Sequence, residues 1–80
     1  MIEAEKIEEA LKRFFPDTAI AGRIVVKDTA GDMMHYSVEV ASAQFSGLSL
    51  IQQHRKVKEA LAEYLKSGEL HAVAVKTEVI

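Results

Sequence analysis

Apolar side chains recur every three or four residues near the start of the chain, as they do along one face of a helix. The members of this stripe are Ile7, Ala10, Leu11, Phe14 and Phe15. Pro16 follows, and a proline disfavours the helical conformation in the residue before it. We therefore predict a first helix from Ile2 to Phe15.

The next two apolar segments have the pattern of strands. The segment from Gly22 to Asp28 contains three consecutive β-branched residues, and from Met34 to Val40 apolar and polar residues alternate. A period of two predicts a strand with one apolar and one polar face, and His35 lies on the polar face. Residues 28–32 are dense in turn formers, so the two strands should form an antiparallel hairpin.

The second half of the chain predicts two helical segments and a third strand. A short helical turn is expected from Ser42 to Ser46. A longer helix should begin at Ser49, which can form a capping box with Gln52, and should end at Gly68. The segment from His71 to about Thr77 has the alternation of a last strand.

These elements follow one another in the order αββααβ. The two-helix connection is long enough for the last strand to pair in parallel, whereas the hairpin must be antiparallel. We predict an α+β fold in which helices cover one face of a three-stranded mixed sheet. With 80 residues, the chain is expected to form a single domain, residues 1–80.

Composition narrows the possible functions. The chain has no cysteine, which excludes a disulfide, a catalytic thiol and a cysteine-rich zinc site. The net charge of −2 provides no general attraction to nucleic acid or anionic lipid. No apolar run reaches the length of a membrane span, and the acidic first residues resemble no targeting segment. We expect a cytoplasmic protein, or an organellar one only if a transit segment precedes this chain.

No catalytic motif is present, and most carboxylates fall on helix faces that should be solvated, so we do not expect an enzyme. The longer helix carries an apolar stripe made up of Leu50, Val57, Leu61, Tyr64 and Leu65. His54 lies on this stripe and should be packed and hydrogen-bonded. By pattern alone, His35 and His71 are typical of ordinary surface or structural residues, and their spacing is no metal signature.

Two segments carry a family resemblance. They read FSGLSLIQQHR, from Phe45 to Arg55, and HAVAVKT, from His71 to Thr77. Together with the segment HYSV from His35 to Val38, they are similar to the BolA family. The resemblance implies a fold related to type II KH domains and a partnership with monothiol glutaredoxins, with which family members share a two-iron, two-sulfur cluster.

The resemblance also assigns metal ligands. His71 matches the family's near-invariant histidine ligand, and His35 matches the second ligand of one subgroup. Other members use a cysteine in the preceding loop, which residues 28–34 lack. A glutaredoxin cysteine and glutathione would then supply the two thiolates. This sequence departs from the family at Ser46 and Gln53, where glutamate and arginine are common, and near the C-terminus, where a proline is usual.

Two further functions stay open. Family members have been proposed as DNA-binding transcriptional regulators, and Arg55, Lys56 and Lys58 could form a basic patch on the longer helix. The GXXG loop of KH domains is missing, and a solvated helix face is the simpler explanation of these residues. An adaptor that binds partners without metal is the third possibility. Alone, the protein is expected to be a monomer or a weak homodimer.

The two candidate ligands are expected to differ in rigidity. His71 opens a strand and should be held by the sheet, whereas His35 lies beside a turn that contains Gly31 and Asp32. Side chains beside loops are usually less well positioned than those on regular elements. We therefore expect His71 to contribute more to cluster binding than His35.

Overall fold

The computed structural model describes residues 1–80 and contains three helices, three strands and two short 3-10 turns. In chain order these are α1 (Ala4–Phe14), the first 3-10 turn (Pro16–Ala19), β1 (Arg23–Asp28), β2 (His35–Ser42), the second 3-10 turn (Ala43–Phe45), α2 (Leu50–Ala60), α3 (Ala62–Ser67) and β3 (Ala72–Val79).

The sheet has the order β1-β2-β3, with β2 in the centre. β1 pairs with β2 in antiparallel orientation, and β3 pairs with β2 in parallel orientation. The predicted α+β fold with a three-stranded mixed sheet is confirmed. The two-helix connection permits the parallel pair because its length lets the chain return to the same end of the sheet.

The core lies between one face of the sheet and the helices. Along β2, Tyr36, Val38 and Val40 are buried, whereas the intervening residues are partly exposed, so the predicted alternation is confirmed. Outside β2, the largest fully buried side chains lie in α1, the second 3-10 turn and α2, or just after α1, between α2 and α3, and before β3. They are Ile7, Leu11, Phe15, Phe45, Val57, Leu61 and Leu70.

The first helix is shorter than predicted. Ile2 lies outside α1 in an extended segment, where its amide donates to the Met33 carbonyl (2.8 Å) and its carbonyl accepts from the Tyr36 hydroxyl (2.6 Å). Phe15 is fully buried but non-helical, with φ of −121° and ψ of 71°, because the following proline disfavours the helical conformation. Phe14, the last helical residue, is only half-buried.

The predicted longer helix is divided into two. Leu61, with φ of −107° and ψ of 9°, separates α2 from α3. The predicted capping box is confirmed, since the Gln52 amide donates to the Ser49 hydroxyl and the Ser49 amide donates to the Gln52 side chain. Gly68 has a φ of 82°, which confirms the left-handed helix end.

The predicted apolar stripe of α2 was wrong in two places. Leu50 is 62% exposed, because the first turn of the helix reaches beyond the core. The buried stripe continues from Val57 to Gln53, one helical turn earlier, and so passes beside His54. His54 is half-buried and makes no side-chain hydrogen bond, contrary to the prediction of a hydrogen-bonded structural histidine. The side chain of Gln53 instead donates to the Leu48 carbonyl (3.0 Å).

Candidate functional site

The two candidate ligand histidines meet at one end of the sheet. His35 is the first residue of β2 and pairs with Ala72, the first residue of β3. His71 immediately precedes β3, and the ring centroids of the two histidines are 5.8 Å apart at an angle of 75°. Parallel strands begin at the same edge of a sheet, which is why residues far apart in the chain are neighbours here.

The backbone fixes the relative position of these two strand starts. The Met34 carbonyl accepts hydrogen bonds from the His71 amide (2.8 Å) and the Ala72 amide (3.3 Å). The residue before His35 is therefore tied directly to His71. The distance between the two imidazoles depends on this contact and on the strand register, not on either loop alone.

The turn before His35 is organised by Asp28. One carboxylate oxygen accepts from the amides of Ala30 (3.2 Å) and Gly31 (2.8 Å), and the other accepts from the Met33 amide (2.9 Å). Gly31 and Met33 both have positive φ, at 71° and 58°. Such conformations are uncommon outside glycine, and the hydrogen bonds to Asp28 stabilise them here.

Asp32 positions the ring of His35. Its Oδ1 accepts from the amides of Met34 (2.9 Å) and His35 (3.1 Å), and its Oδ2 lies 2.6 Å from Nδ1 of His35. The hydrogen bond from the Met34 amide, with those from His35, lowers the pKa of the Asp32 carboxyl. A carboxylate beside Nδ1 favours the tautomer with its proton on that nitrogen. Nε2 then remains available as an acceptor or metal ligand.

The sequence led us to expect that His71 would be held more rigidly than His35, and the structure shows the opposite for the two side chains. His35 is half-buried, and its ring is held by Asp32 in a hydrogen-bonded turn. His71 is exposed, its side chain makes no hydrogen bond, and it lies just before the strand. Only the backbone of His71 is fixed. His35 is consequently the better oriented of the two imidazoles.

Sequence reasoning missed Asp32 as a member of the site. The sequence feature that could have identified Asp32 is its position in a turn, three residues before His35. At that position an aspartate can cap the backbone and reach the histidine ring. Metal-binding histidines commonly donate their second ring nitrogen to a carboxylate, which fixes the ring orientation. The contact between Asp32 and His35 has this form.

The donor set fits part of a metal site. The chain contains no group of three or more histidine, cysteine or acidic side chains that could hold a metal ion. Two neighbouring imidazoles match the histidine half of a Rieske-type two-iron cluster, which needs two thiolates as well. The residues present therefore fit a cluster only if another molecule contributes sulfur ligands.

The three basic residues of α2 do not share one surface. Arg55 and Lys58 are exposed, three residues apart on the same side of the helix. Lys56 is half-buried, with its Nζ 5.6 Å from the ring centroid of Phe14 at the end of α1. Part of the predicted basic patch thus contributes to the packing of α2 against α1.

No helix has the length and apolar character required to span a bilayer.

Comparison with known proteins agrees with this architecture. Residues 18–79 match the family model described as BolA, BolA-like protein. An uncharacterized protein of Rickettsia prowazekii is 46% identical over 76 residues, which cover 95% of this chain and 92% of that protein. The NMR structure of a BolA-like hypothetical protein from the same organism superposes with a TM-score of 0.70 and 46% identity, covering 99% of this chain and 96% of that one.

Two eukaryotic proteins extend the similarity. BolA-like protein 1 of Mus musculus is 45% identical over 49 residues, which cover 61% of this chain and 35% of that longer protein. The BolA domain of SufE1 from Arabidopsis thaliana has a TM-score of 0.80 and 28% identity, covering 95% of this chain and 90% of that one. The match to the family model, over residues 18–79, spans both histidines and the whole sheet. The chain belongs to the BolA-like protein family.

Proposed function

We propose that this protein is a non-enzymatic partner of monothiol glutaredoxins in iron–sulfur cluster assembly, trafficking or iron-status signalling. In this scheme His35 and His71 ligate a two-iron, two-sulfur cluster, and a glutaredoxin cysteine and glutathione supply the thiolates. The observation that carries the proposal is the meeting of the two imidazoles, with ring centroids 5.8 Å apart. Histidine ligation raises the reduction potential of such a cluster relative to all-thiolate ligation.

The role of Asp32 supports the proposal. Its contact with Nδ1 of His35 leaves Nε2 as the ring nitrogen for a metal, as in protein metal sites with a carboxylate behind the histidine. The contact also keeps the ring in one orientation before any partner binds.

The absence of cysteine supports the need for a partner. Cluster ligands are usually thiolates, and this chain can supply only imidazoles at the site. Its family resemblance points to the same division of ligands between two proteins. We therefore expect the isolated protein to retain no cluster after reconstitution with iron and sulfide.

The test is reconstitution with a purified monothiol glutaredoxin and glutathione, followed by visible absorbance and electron paramagnetic resonance. The wild-type mixture should form a heterodimer with a mixed nitrogen and sulfur signature. His71→Ala and His35→Ala should each lose that signature, although the complex can still form. His54→Ala is the matched control, because the neighbouring Gln53 contacts Thr77, six residues along the chain from His71, and this variant should behave as the wild type. Since metal binds neutral imidazole, the complex should lose its cluster in acid.

Two results would contradict the proposal. One is a cluster-bearing homo-oligomer formed without any added thiol protein. The other is a His71→Ala complex whose spectrum and cluster lifetime equal those of the wild type.

Binding to DNA through the exposed Arg55 and Lys58 stays a second prediction, and its affinity should fall steeply as salt rises.

A further inference from the structure

β3 is an edge strand whose outer side pairs with no other strand. It stands last in the order β1-β2-β3 and extends over eight residues, Ala72–Val79, without a proline. An open edge of this length presents a row of unpaired N–H and C=O groups, which can pair with a further strand. The outer edge of β3 is therefore a surface on which a partner strand can add.

The direction of the backbone groups along β3 follows from one contact. The Ala72 amide donates to the Met34 carbonyl, so the hydrogen-bonding groups of Ala72 point toward β2. Successive residues of a strand direct these groups to opposite sides. The residues whose backbone groups point outward are therefore Val73, Val75, Thr77 and Val79.

One antiparallel register of two β3 strands is self-complementary. With a two-fold axis at Thr77, each Lys76 lies opposite Glu78 of the second copy, on the face of the sheet away from the helices. This pair lies between hydrogen-bonded pairs, the position in which opposing side chains are closest. An axis at Val75 would instead place Lys76 opposite Ala74. Charge complementarity selects the axis at Thr77.

The first turn of α2 lies above the same part of β3. The Thr77 hydroxyl donates to the Gln53 side chain at 2.6 Å. One turn earlier, Leu50 and Ile51 are 62% and 65% exposed, which is unusual for two adjacent large apolar side chains. A two-fold axis perpendicular to the sheet would place the first turns of both α2 helices on the same face, on either side of the axis. Association would then remove apolar surface from water.

We propose that a second copy of this chain binds at the outer edge of β3, and that the two sheets form one continuous six-stranded sheet. The proposal does not depend on the proposed function. His71 lies six residues before Thr77, about 20 Å along the strand, so the dimer leaves both histidine pairs accessible. Each dimer would present two separate histidine sites.

The test is a charge swap measured by sedimentation equilibrium from about 10 µM to about 1 mM protein. The wild type should show a monomer–dimer equilibrium. Lys76→Glu places two glutamates opposite each other, and Glu78→Lys places two lysines opposite each other. Each single variant should dimerise about tenfold more weakly, because both symmetric pairs become repulsive. The double variant restores opposite charges and should recover dimerisation.

The double variant also separates this pair from contacts within the chain. Glu78 accepts a hydrogen bond from Arg23 at 2.6 Å and Lys76 lies 3.6 Å from Glu39, and the charge swap restores neither contact. Recovery of dimerisation therefore reports the pairing between copies. As a second readout, amide hydrogen exchange at Val75, Thr77 and Val79 should slow as protein concentration rises, with no change at Ala74.

Three outcomes would overturn the proposal. The first is a wild type that is monomeric throughout the concentration range, which would leave the edge to a strand of a different protein. The second is a dimer that the single charge reversals do not weaken. The third is a double variant that associates no better than either single variant while its circular dichroism spectrum shows a native fold.

Discussion

The two ends of β2 are each organised by an aspartate, and the two aspartates are used differently. At the end that begins with His35, Asp32 accepts from two backbone amides and contacts an imidazole. At the other end, Asp17 accepts from the Ser42 hydroxyl (2.9 Å to each oxygen) and the Ala43 amide (2.9 Å). Ser42 is fully buried, whereas the imidazole is half-exposed.

The difference shows that the partner of a carboxylate indicates its role better than its pKa does. Burial works to raise the pKa of Asp17, but the hydrogen bonds from Ala43 and Ser42 outweigh it, and the pKa is lowered. The pKa of Asp32 is lowered as well, mainly by the Met34 amide. Both groups are ionised at neutral pH. Only Asp32 contacts a side chain that can bind a ligand.

The largest expected effect is the loss of stability at the Asp17 end. Asp17→Ala removes the acceptor of the buried Ser42 hydroxyl and of the Ala43 amide. Leaving the buried Ser42 hydroxyl without its acceptor should lower the free energy of unfolding by about 2 kcal/mol, whereas the exposed Ala43 amide can bond to water. Urea denaturation measures this, with Glu9→Ala as the control, since Glu9 is exposed on α1. Equal stability of the two variants would show that the network at Ser42 contributes little.

The next effect concerns the Asp32 end and rests on the proposed function. Asp32→Asn keeps an oxygen for the backbone amides but replaces the carboxylate beside His35. Loss of a supporting carboxylate typically weakens metal binding about 10- to 100-fold, and we expect that loss of cluster affinity in the glutaredoxin complex. Asp28→Asn, which alters the same turn without contacting the ring, is the matched control.

The same cluster titration can also contradict the prediction for Asp32→Asn. Should Asp32→Asn bind the cluster as tightly as Asp28→Asn, the carboxylate would have only a role in the turn. Stability measured on both variants separates the two roles. A positioning role changes cluster affinity far more than the urea midpoint, whereas a turn role changes them together.

The smallest effect is the loss of stability in acid. The pKa of Asp17 is lower in the folded protein than in the unfolded chain, so its stabilising contribution is complete above about pH 4. That contribution is lost as pH falls through the lowered folded value. Urea denaturation between pH 7 and about pH 3 should give a shallower decline for Asp17→Ala than for the wild type. Parallel curves would mean that other carboxyl groups control acid unfolding.

The sequence by itself determined the elements whose signals are local. The alternation along β2, the capping box of Ser49 and Gln52, and the helix end at Gly68 each depend on residues a few positions apart. Such patterns act through neighbouring backbone groups, so they can be recognised in the sequence without knowledge of the fold. The element order and the mixed sheet follow from them, whereas the family resemblance depends on the particular residues of the segments FSGLSLIQQHR and HAVAVKT.

Tertiary structure decided everything that depends on register between distant segments. Pattern alone could not show that His35 and His71 are neighbours, because their distance depends on the parallel pairing of β2 with β3. The buried position of Gln53, and not His54, depends on how α2 is rotated against the sheet. Contacts of this kind join residues whose spacing in the chain carries no information about their spacing in the fold.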